Sequence, residues 1–214
     1  ALQINSVANE VVETGAVNLG DYDIVVWYVG DESSVEEVFS TAEKNAIKTY
    51  LDNGGKILIS GSEIAYNVCR PASATYDAEF TTTYLRSTYV ADGAANFTPA
   101  TGIAGTMFEG LNIPFGITYP EDFPDAIEAT NGGINILNYA IANRRGGVGY
   151  KGIFKTTTPG TVIFLSFTLE TAAQTSITNF MDKALDYFAA PYPTTPPLAV
   201  DDNAGAQSGI AQHI

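Results

Sequence analysis

Residues 53–63 constrain the fold of this chain more than any other stretch. Their sequence is Asn-Gly-Gly-Lys-Ile-Leu-Ile-Ser-Gly-Ser-Glu. Asn53 and the two glycines after it are typical of a helix end, and residues 57–59 are typical of a short buried strand. The turn that follows places Ser62 and Glu63 at the end of this strand. In an α/β sheet such a turn lies at the crevice where ligands bind.

A strand and a helix are predicted before this stretch. Residues 24–29 are apolar throughout, which is typical of a strand covered on both faces. Ser40 and Glu43 form a capping box, the sequence signature of a helix start. A strand, a helix and a second strand with short links form a right-handed crossover. We therefore expect residues 24–29 and 57–59 to form a parallel pair.

The remaining chain completes an α/β pattern. Residues 87–150 are rich in Gly, Thr, Asn and Pro, which favours a β-rich insertion of hairpins and loops. Residues 160–167 are typical of another buried strand, and an amphipathic helix follows it. The predicted fold is an α/β three-layer sandwich with a mostly parallel sheet, formed by residues 1–190. Residues 191–214 are predicted to be a Pro-rich linker and a strand-forming tail.

Several of these stretches resemble a known domain family. Residues 27–33 (Trp-Tyr-Val-Gly-Asp-Glu-Ser), 54–63 and 164–170 (Phe-Leu-Ser-Phe-Thr-Leu-Glu) look like the flavodoxin-like, class I glutamine-amidotransferase-like domain of large secreted bacterial proteins. Such proteins are often labelled xanthan lyase or N-acetylmuramoyl-alanine amidase by analogy. The resemblance implies a mostly parallel flavodoxin-like sheet. It also implies a first strand beside residues 24–29, and we find no such strand before Ile4.

The tail carries a second resemblance. Residues 196–204, Pro-Pro-Leu-Ala-Val-Asp-Asp-Asn-Ala, are similar to the start of bacterial cadherin-like or Ig-like adhesion repeats. They are also similar, less strongly, to the Val-Asp-Asp end of the first strand of the family above. We therefore expect residues 198–200 to pair as a strand, either with the chain's own sheet or with a neighbouring subunit. The tail residues expected to contribute to assembly are Leu198, Ala199, Val200, Ile210 and Ile214.

Polar side chains follow three of the predicted strands and should converge at one edge of the sheet. They are Asp31, Glu32, Ser62, Glu63 and Glu170. One interpretation is a cation site, because calcium prefers clustered carboxylates, and Asp201 and Asp202 in the tail could bind calcium in the same way. The alternative is that Glu63 and Glu170 cap helix starts, with the two tail aspartates in a solvated turn.

Ser62 and Glu63 are also the candidates for catalysis. The family resemblance implies a Cys at this turn with a His and a Glu partner. Here the single Cys is Cys69 and the single His is His213, in the tail. A serine nucleophile needs a base within hydrogen-bond reach. A histidine in the tail would be an unusual base and no Lys lies beside the turn in sequence, so we expect no enzymatic activity. Cys69 precedes Arg70, which could activate the thiol, whereas the alternative is a buried structural cysteine.

Charge and composition limit the partners. With 10 Lys and Arg against 24 Asp and Glu, the net charge of −14 argues against nucleic acid and anionic membranes. The apolar run at residues 24–29 is far too short to span a bilayer. Few lysines and many Thr, Asn and Tyr favour a secreted bacterial or archaeal protein, extracellular or at the cell surface.

We therefore expect a non-catalytic structural or interaction module that forms a homo-oligomer or head-to-tail polymer through its tail. One alternative is a carbohydrate or cell-wall binding module that takes a polysaccharide. Its tyrosines could stack on sugars if they lined the crevice: Tyr66, Tyr76, Tyr84, Tyr89, Tyr119, Tyr139 and Tyr150. The other alternative is a hydrolase that uses Ser62 and Glu63.

Overall fold

A computed structural model of the chain describes residues 4–31, 37–93 and 97–193. The strands are β1 (Val25–Gly30), β2 (Lys56–Gly61), β3 (Ser87–Ala91), β4 (Ala100–Gly102), β5 (Asn112–Ile113), β6 (Ala126–Ala129), β7 (Ile134–Asn138), β8 (Arg145–Ile153) and β9 (Pro159–Leu165). The helices are α1 (Asn9–Glu13), α2 (Thr41–Asp52) and α3 (Gln174–Ala189). Short 3-10 or π-helical turns occur at Leu19–Asp21, Ala65–Cys69, Phe80–Tyr84 and Leu169–Thr171. No helix in these ranges is long and apolar enough to cross a membrane.

The strands form one mixed, mostly antiparallel, curled sheet in the order β1-β2-β9-β8-β7-β4-β5, with β6 paired to β8 and β3 to β6. Within the described residues, the pairs β1–β2 and β2–β9 run parallel and the others antiparallel. The predicted mostly parallel, flavodoxin-like three-layer sandwich is therefore wrong. The parallel pair β1–β2 joined by α2 is confirmed.

Chain connectivity explains the difference. A parallel strand pair needs a long crossover, usually a helix, whereas an antiparallel pair needs only a short turn. In the described part of the chain, α2 is the one α-helix that links two successive strands of the sheet. Residues 87–150 contain β3 to β7 and most of β8, and all of these strands belong to the same sheet as β1 and β2.

The two faces of the sheet are covered by different helices. Successive strand residues point to opposite faces. Ile57 and Ile59 of β2 pack in one core with residues of α2, whereas Leu58 packs in a second core with residues of α3. Thus α2 and α3 lie on opposite faces of the parallel part of the sheet.

β1 lies at one edge of the sheet. The prediction that both of its faces are covered is wrong. Trp27 is buried in the core beneath α2, but Val26 and Tyr28 on the other face are 38% and 45% exposed. β2 is the one partner of β1 among the described residues, so the other edge of β1 is unpaired there. An apolar run does not distinguish a central strand from an edge strand whose outer face is uncovered.

Candidate functional site

The ends of β1, β2 and β9 lie side by side and bring together side chains that are distant in sequence. Asp31 follows β1, Ser62 and Glu63 follow β2, and Thr168 follows β9. Ser62 Oγ donates a hydrogen bond to Asp31 Oδ1 at 2.9 Å. Thr168 Oγ1 donates to the carbonyl of Gly30 at 3.0 Å. We call this region the acidic crevice, formed by Asp31, Ser62, Glu63, Glu121, Thr168 and Glu170.

Glu121 is one of two crevice residues, with Thr168, that the sequence analysis missed. It lies in the loop between β5 and β6, and its Oε2 accepts a hydrogen bond from the Thr168 amide at 3.1 Å. Its buried Oε1 has no hydrogen-bond partner among the described residues. Burial raises the pKa of Glu121 to about 7, although the hydrogen bonds with Thr168 act to lower it. The charges of Asp31 and Glu170 raise the pKa of Glu121 further.

No local sequence signal marks Glu121. Its position depends on a tertiary contact: the loop that carries it is fixed to the turn after β9. Gly116 donates its amide hydrogen to Thr171 Oγ1 at 2.9 Å, and Thr118 Oγ1 donates to the carbonyl of Glu170 at 3.0 Å. This contact spans more than 50 residues of sequence.

Glu63 lies in the turn after β2 and has an unusual backbone conformation. Its φ of 57° lies in the left-handed region, which is costly for a residue other than glycine. Its carboxyl group is buried, and Oε2 has no partner among the described residues. Burial raises the pKa of Glu63 to about 7, and the charge of Asp92 adds to this rise. The positive charge of Arg70 opposes the rise.

The other acidic residue that follows a strand, Glu170, is half-buried in the turn after β9. Burial raises the pKa of Glu170, and a hydrogen bond with its own backbone opposes the rise. The short turn Leu169–Thr171 starts at Thr168 and has no side-chain cap bond among the described residues, so the interpretation that Glu170 caps a helix start is not supported. For Glu63, no side-chain bond to a helix start is observed within the described residues.

The described residues give no support for a calcium site. No group of three or more His, Cys, Asp or Glu in them is arranged to hold a metal ion. The predicted ligands Asp31, Glu63 and Glu170 lie in the acidic crevice. Glu32, Asp201 and Asp202 are outside the described residues, as are the predicted assembly residues Leu198, Ala199, Val200, Ile210 and Ile214.

The geometry at Ser62 does not suit a nucleophile. A carboxylate oxygen of Asp31 accepts its hydroxyl hydrogen at 2.9 Å, so a base is within reach. The Ser62 side chain is nevertheless fully buried, and an attacking oxygen must be accessible to its substrate. An efficient general base also needs a pKa near the working pH, which is why histidine serves this role most often. His213 lies outside the described residues.

Cys69 is a structural cysteine. It is buried, with its Sγ 3.8 Å from Ser87 Oγ. Burial raises the pKa of the Cys69 thiol to about 12, so the reactive thiolate is scarce at neutral pH.

Three of the seven tyrosines proposed to stack on sugars are buried in the core instead. Tyr84, Tyr139 and Tyr150 are buried. Tyr119 is 39% exposed and lies close enough to the crevice for Glu170, Glu121 and Asp31 to raise its pKa, after the larger effect of burial. The exposed Tyr28 is likewise near Glu170. The rim of the acidic crevice therefore carries two accessible aromatic rings.

A second candidate site runs along the free edge of β1. It is a groove of about 320 Å3, lined by residues 5–9, 12, 17, 19, 22 and 24–28. We call it the β1 groove. Its wall includes the apolar side chains of Val12, Val17 and Leu19, and β1 lines its other side. Polar side chains, among them Asn5 and Asn9, also line the groove. The groove thus places a strand edge that is unpaired among the described residues beside a wall of mixed polar and apolar side chains.

No family model and no curated protein matches the sequence. Solved structures do match. The β-galactosidase from Rahnella sp. R3 is 11% identical with a TM-score of 0.55, covering 82% of this chain and 24% of that chain. The β-galactosidase from Bacillus circulans sp. alkalophilus is 9% identical with a TM-score of 0.53, covering 85% and 25%. A cytoplasmic protein from Salmonella typhimurium is 15% identical with a TM-score of 0.53, covering 79% and 72%.

At these identities the likeness shows the fold alone. The chain spans about a quarter of the length of the β-galactosidases that it matches. Together with the mixed sheet, these neighbours overturn the flavodoxin-like, amidotransferase-like assignment that the sequence resemblance implied.

Proposed function

We propose that this chain is a non-catalytic structural or interaction module that assembles with other copies through its C-terminal tail. The observation that carries the proposal is the edge of β1 that has no strand partner among the described residues, beside the β1 groove. An unpaired edge presents a row of backbone N–H and C=O groups, and these groups bind an added strand by main-chain hydrogen bonds.

The exposed face of β1 supports the same proposal. Val26 and Tyr28 are accessible on a strand that is apolar along its length. Long apolar edge strands promote aggregation unless something covers them. A short added strand buries few side chains, so we expect each joint to be weak, with a Kd on the order of micromolar to millimolar.

Sedimentation velocity tests the proposal. The full chain is compared with a chain that ends at Pro193, from about 10 µM to about 500 µM, a range that brackets such a weak joint. We expect a larger average mass with rising concentration for the full chain and a monomer for the shortened one. Circular dichroism checks that both are folded. A full chain that stays monomeric throughout, or oligomers that persist without the tail, would refute the proposal.

Carbohydrate binding at the acidic crevice is a second candidate function. Its support is the exposed pair Tyr28 and Tyr119, which both lie near the half-buried carboxyl group of Glu170. Aromatic faces pack against the apolar faces of sugar rings, and sugar hydroxyls donate hydrogen bonds to carboxyl oxygens. Titration calorimetry with neutral oligosaccharides tests this function.

For that titration, Tyr119→Ala should weaken binding at least about tenfold, or about 1.4 kcal/mol. Tyr76→Ala is the matched control, because Tyr76 is 38% exposed against 39% for Tyr119. Equal affinities in the two variants would exclude the crevice as the sugar site.

A further inference from the structure

We propose that residues 198–200 of a second copy fill the β1 groove as a strand parallel to β1, with Leu198 and Val200 in the groove and Ala199 on the opposite face beside Val26. This inference rests on the proposed function and names the segment, its direction and its side-chain orientation. The argument uses the handedness of chain crossovers, the position of the end of α3, and the alternation of side chains along β1.

Handedness favours a parallel strand at this position. The crossover from β1 through α2 to β2 joins a parallel pair, and such crossovers are almost always right-handed. A crossover from β9 through α3 to a strand beyond β1 moves across the sheet in the opposite direction. It also uses the opposite face, because α3 packs with Leu58 rather than with Ile57 and Ile59. Because the direction across the sheet and the face of the sheet are both reversed, the crossover through α3 is right-handed as well.

The end of α3 is held at the edge of the sheet where the parallel strands begin. Lys151 Nζ donates a hydrogen bond to the carbonyl of Tyr187 at 2.6 Å, and Tyr192 Oη lies 3.5 Å from Thr161 Oγ1. Thr161 pairs with Lys56 at the start of β2. A tail that leaves from this edge and pairs with β1 runs in the same direction as β1, which makes the added strand parallel.

The linker is long enough to reach this position. Five residue steps from Pro193 to Leu198 span up to about 17 Å. Three strand spacings, from β9 to the empty position beyond β1, are about 14 Å. The same strand can therefore be exchanged between identical chains. The linker sequence contains four prolines, Pro191, Pro193, Pro196 and Pro197, and such Pro-rich linkers favour an extended, semi-rigid chain that suits a reach to a neighbouring copy.

Side-chain alternation sets which residues enter the groove. Val25 and Trp27 of β1 belong to the core beneath α2, where the groove wall also carries Val12 and Leu19. A strand places alternate residues on one face. The large Leu198 and Val200 therefore face the part of the groove that carries Val12 and Leu19, and the small Ala199 falls on the exposed face of β1.

Disulfide trapping in the full chain tests the inference. A Val26→Cys chain is mixed with an Ala199→Cys chain and oxidised, and a non-reducing gel measures the dimer. Neighbouring strands are about 4.8 Å apart, which suits a disulfide. We expect at least about tenfold more dimer than with Val200→Cys as the partner, since that side chain would lie on the other face. The native Cys69 is buried and should contribute little background.

The outcomes separate the inference from the proposed function. Cross-linking confined to single chains that carry both substitutions would place the tail in its own sheet and overturn the exchange between copies. Assembly in sedimentation without a preference for position 199 over position 200 would overturn the inferred strand with Ala199 beside Val26 and leave the proposed function standing. No cross-link in any arrangement would also overturn the inference.

Discussion

Glu63 combines two unfavourable features at one position: a left-handed backbone and a buried carboxyl group. Its neighbour Gly61 shows why the turn is so tight. A Cβ atom at Gly61 would lie 2.6 Å from Cβ of Val29, so a side chain there would separate the ends of β1 and β2. Strained residues persist only where the surrounding structure enforces them. Here the close approach of β1 and β2 supplies that constraint.

The buried carboxyl groups predict how stability changes with pH. The pKa values of Glu63 and Glu121 in the folded protein are raised to about 7. The folded state therefore binds more protons than the unfolded state between these values and the ordinary value near 4.5. The stability they contribute is fully present below about pH 4.5 and is lost as the pH rises through about 7. We expect the Tm to fall between about pH 5 and about pH 8.

Substituting Glu63 and Glu121 separates their effect on the pH dependence of Tm from the general charge repulsion within a chain whose net charge is −14. Calorimetric scans of the Glu63→Gln, Glu121→Gln double variant should show a flatter dependence of Tm on pH. Glu13→Gln removes a charge from the exposed surface and should leave the slope nearly unchanged. Equal slopes in the double variant and the parent would contradict the assignment.

The start of α2 is the element whose local sequence and structure agree most closely. The Ser40 side chain accepts a hydrogen bond from the Glu43 amide at 3.2 Å, and Glu43 Oε2 accepts one from the Ser40 amide at 2.7 Å. The predicted capping box is confirmed. Asn9 Nδ2 also donates to Glu43 Oε1 at 2.7 Å, so the capping residue fixes α1 as well.

Removal of this cap should destabilise the protein. Ser40→Ala leaves the Glu43 amide without its partner, and we expect the free energy of unfolding to fall by about 1 kcal/mol. Urea unfolding measures the change. Thr178→Ala, an exposed substitution within α3, is the control and should change stability by less than about 0.5 kcal/mol. A loss for Ser40→Ala no larger than that of the control would show that the cap contributes little.

At the scale of single elements, the sequence analysis identified the features that are determined by residues close together in the chain. The capping box, the helix end at Asn53 and the β1–α2–β2 crossover are all specified within about one helix length, and all three were predicted correctly. The pairing of β2 with β9 and the branching of β6 from β8 depend on contacts between distant residues, which residue periodicity does not encode. The predicted mostly parallel sheet was therefore wrong although single strands were found.

The acidic crevice, too, could be predicted from the sequence only in part. Asp31 and Ser62 could be brought together from the sequence, because they follow neighbouring parallel strands. Glu121 could not, because its carboxyl group reaches Thr168 from a loop 47 residues away in sequence. The edge of β1 that is unpaired among the described residues could not be predicted either, because it depends on which strands the sheet contains rather than on the sequence of β1.

The charge of the whole molecule predicts how salt affects assembly. Two copies with a net charge of −14 repel each other, and salt shortens the range of this repulsion to about 3 Å at 1 M. The proposed joint consists of main-chain hydrogen bonds and apolar side chains, which salt does not screen. Association should therefore strengthen at least several-fold between about 20 mM and about 500 mM sodium chloride, as measured by the average mass in sedimentation equilibrium. Dissociation by salt would instead indicate a joint of opposite charges and would contradict strand addition at the β1 groove.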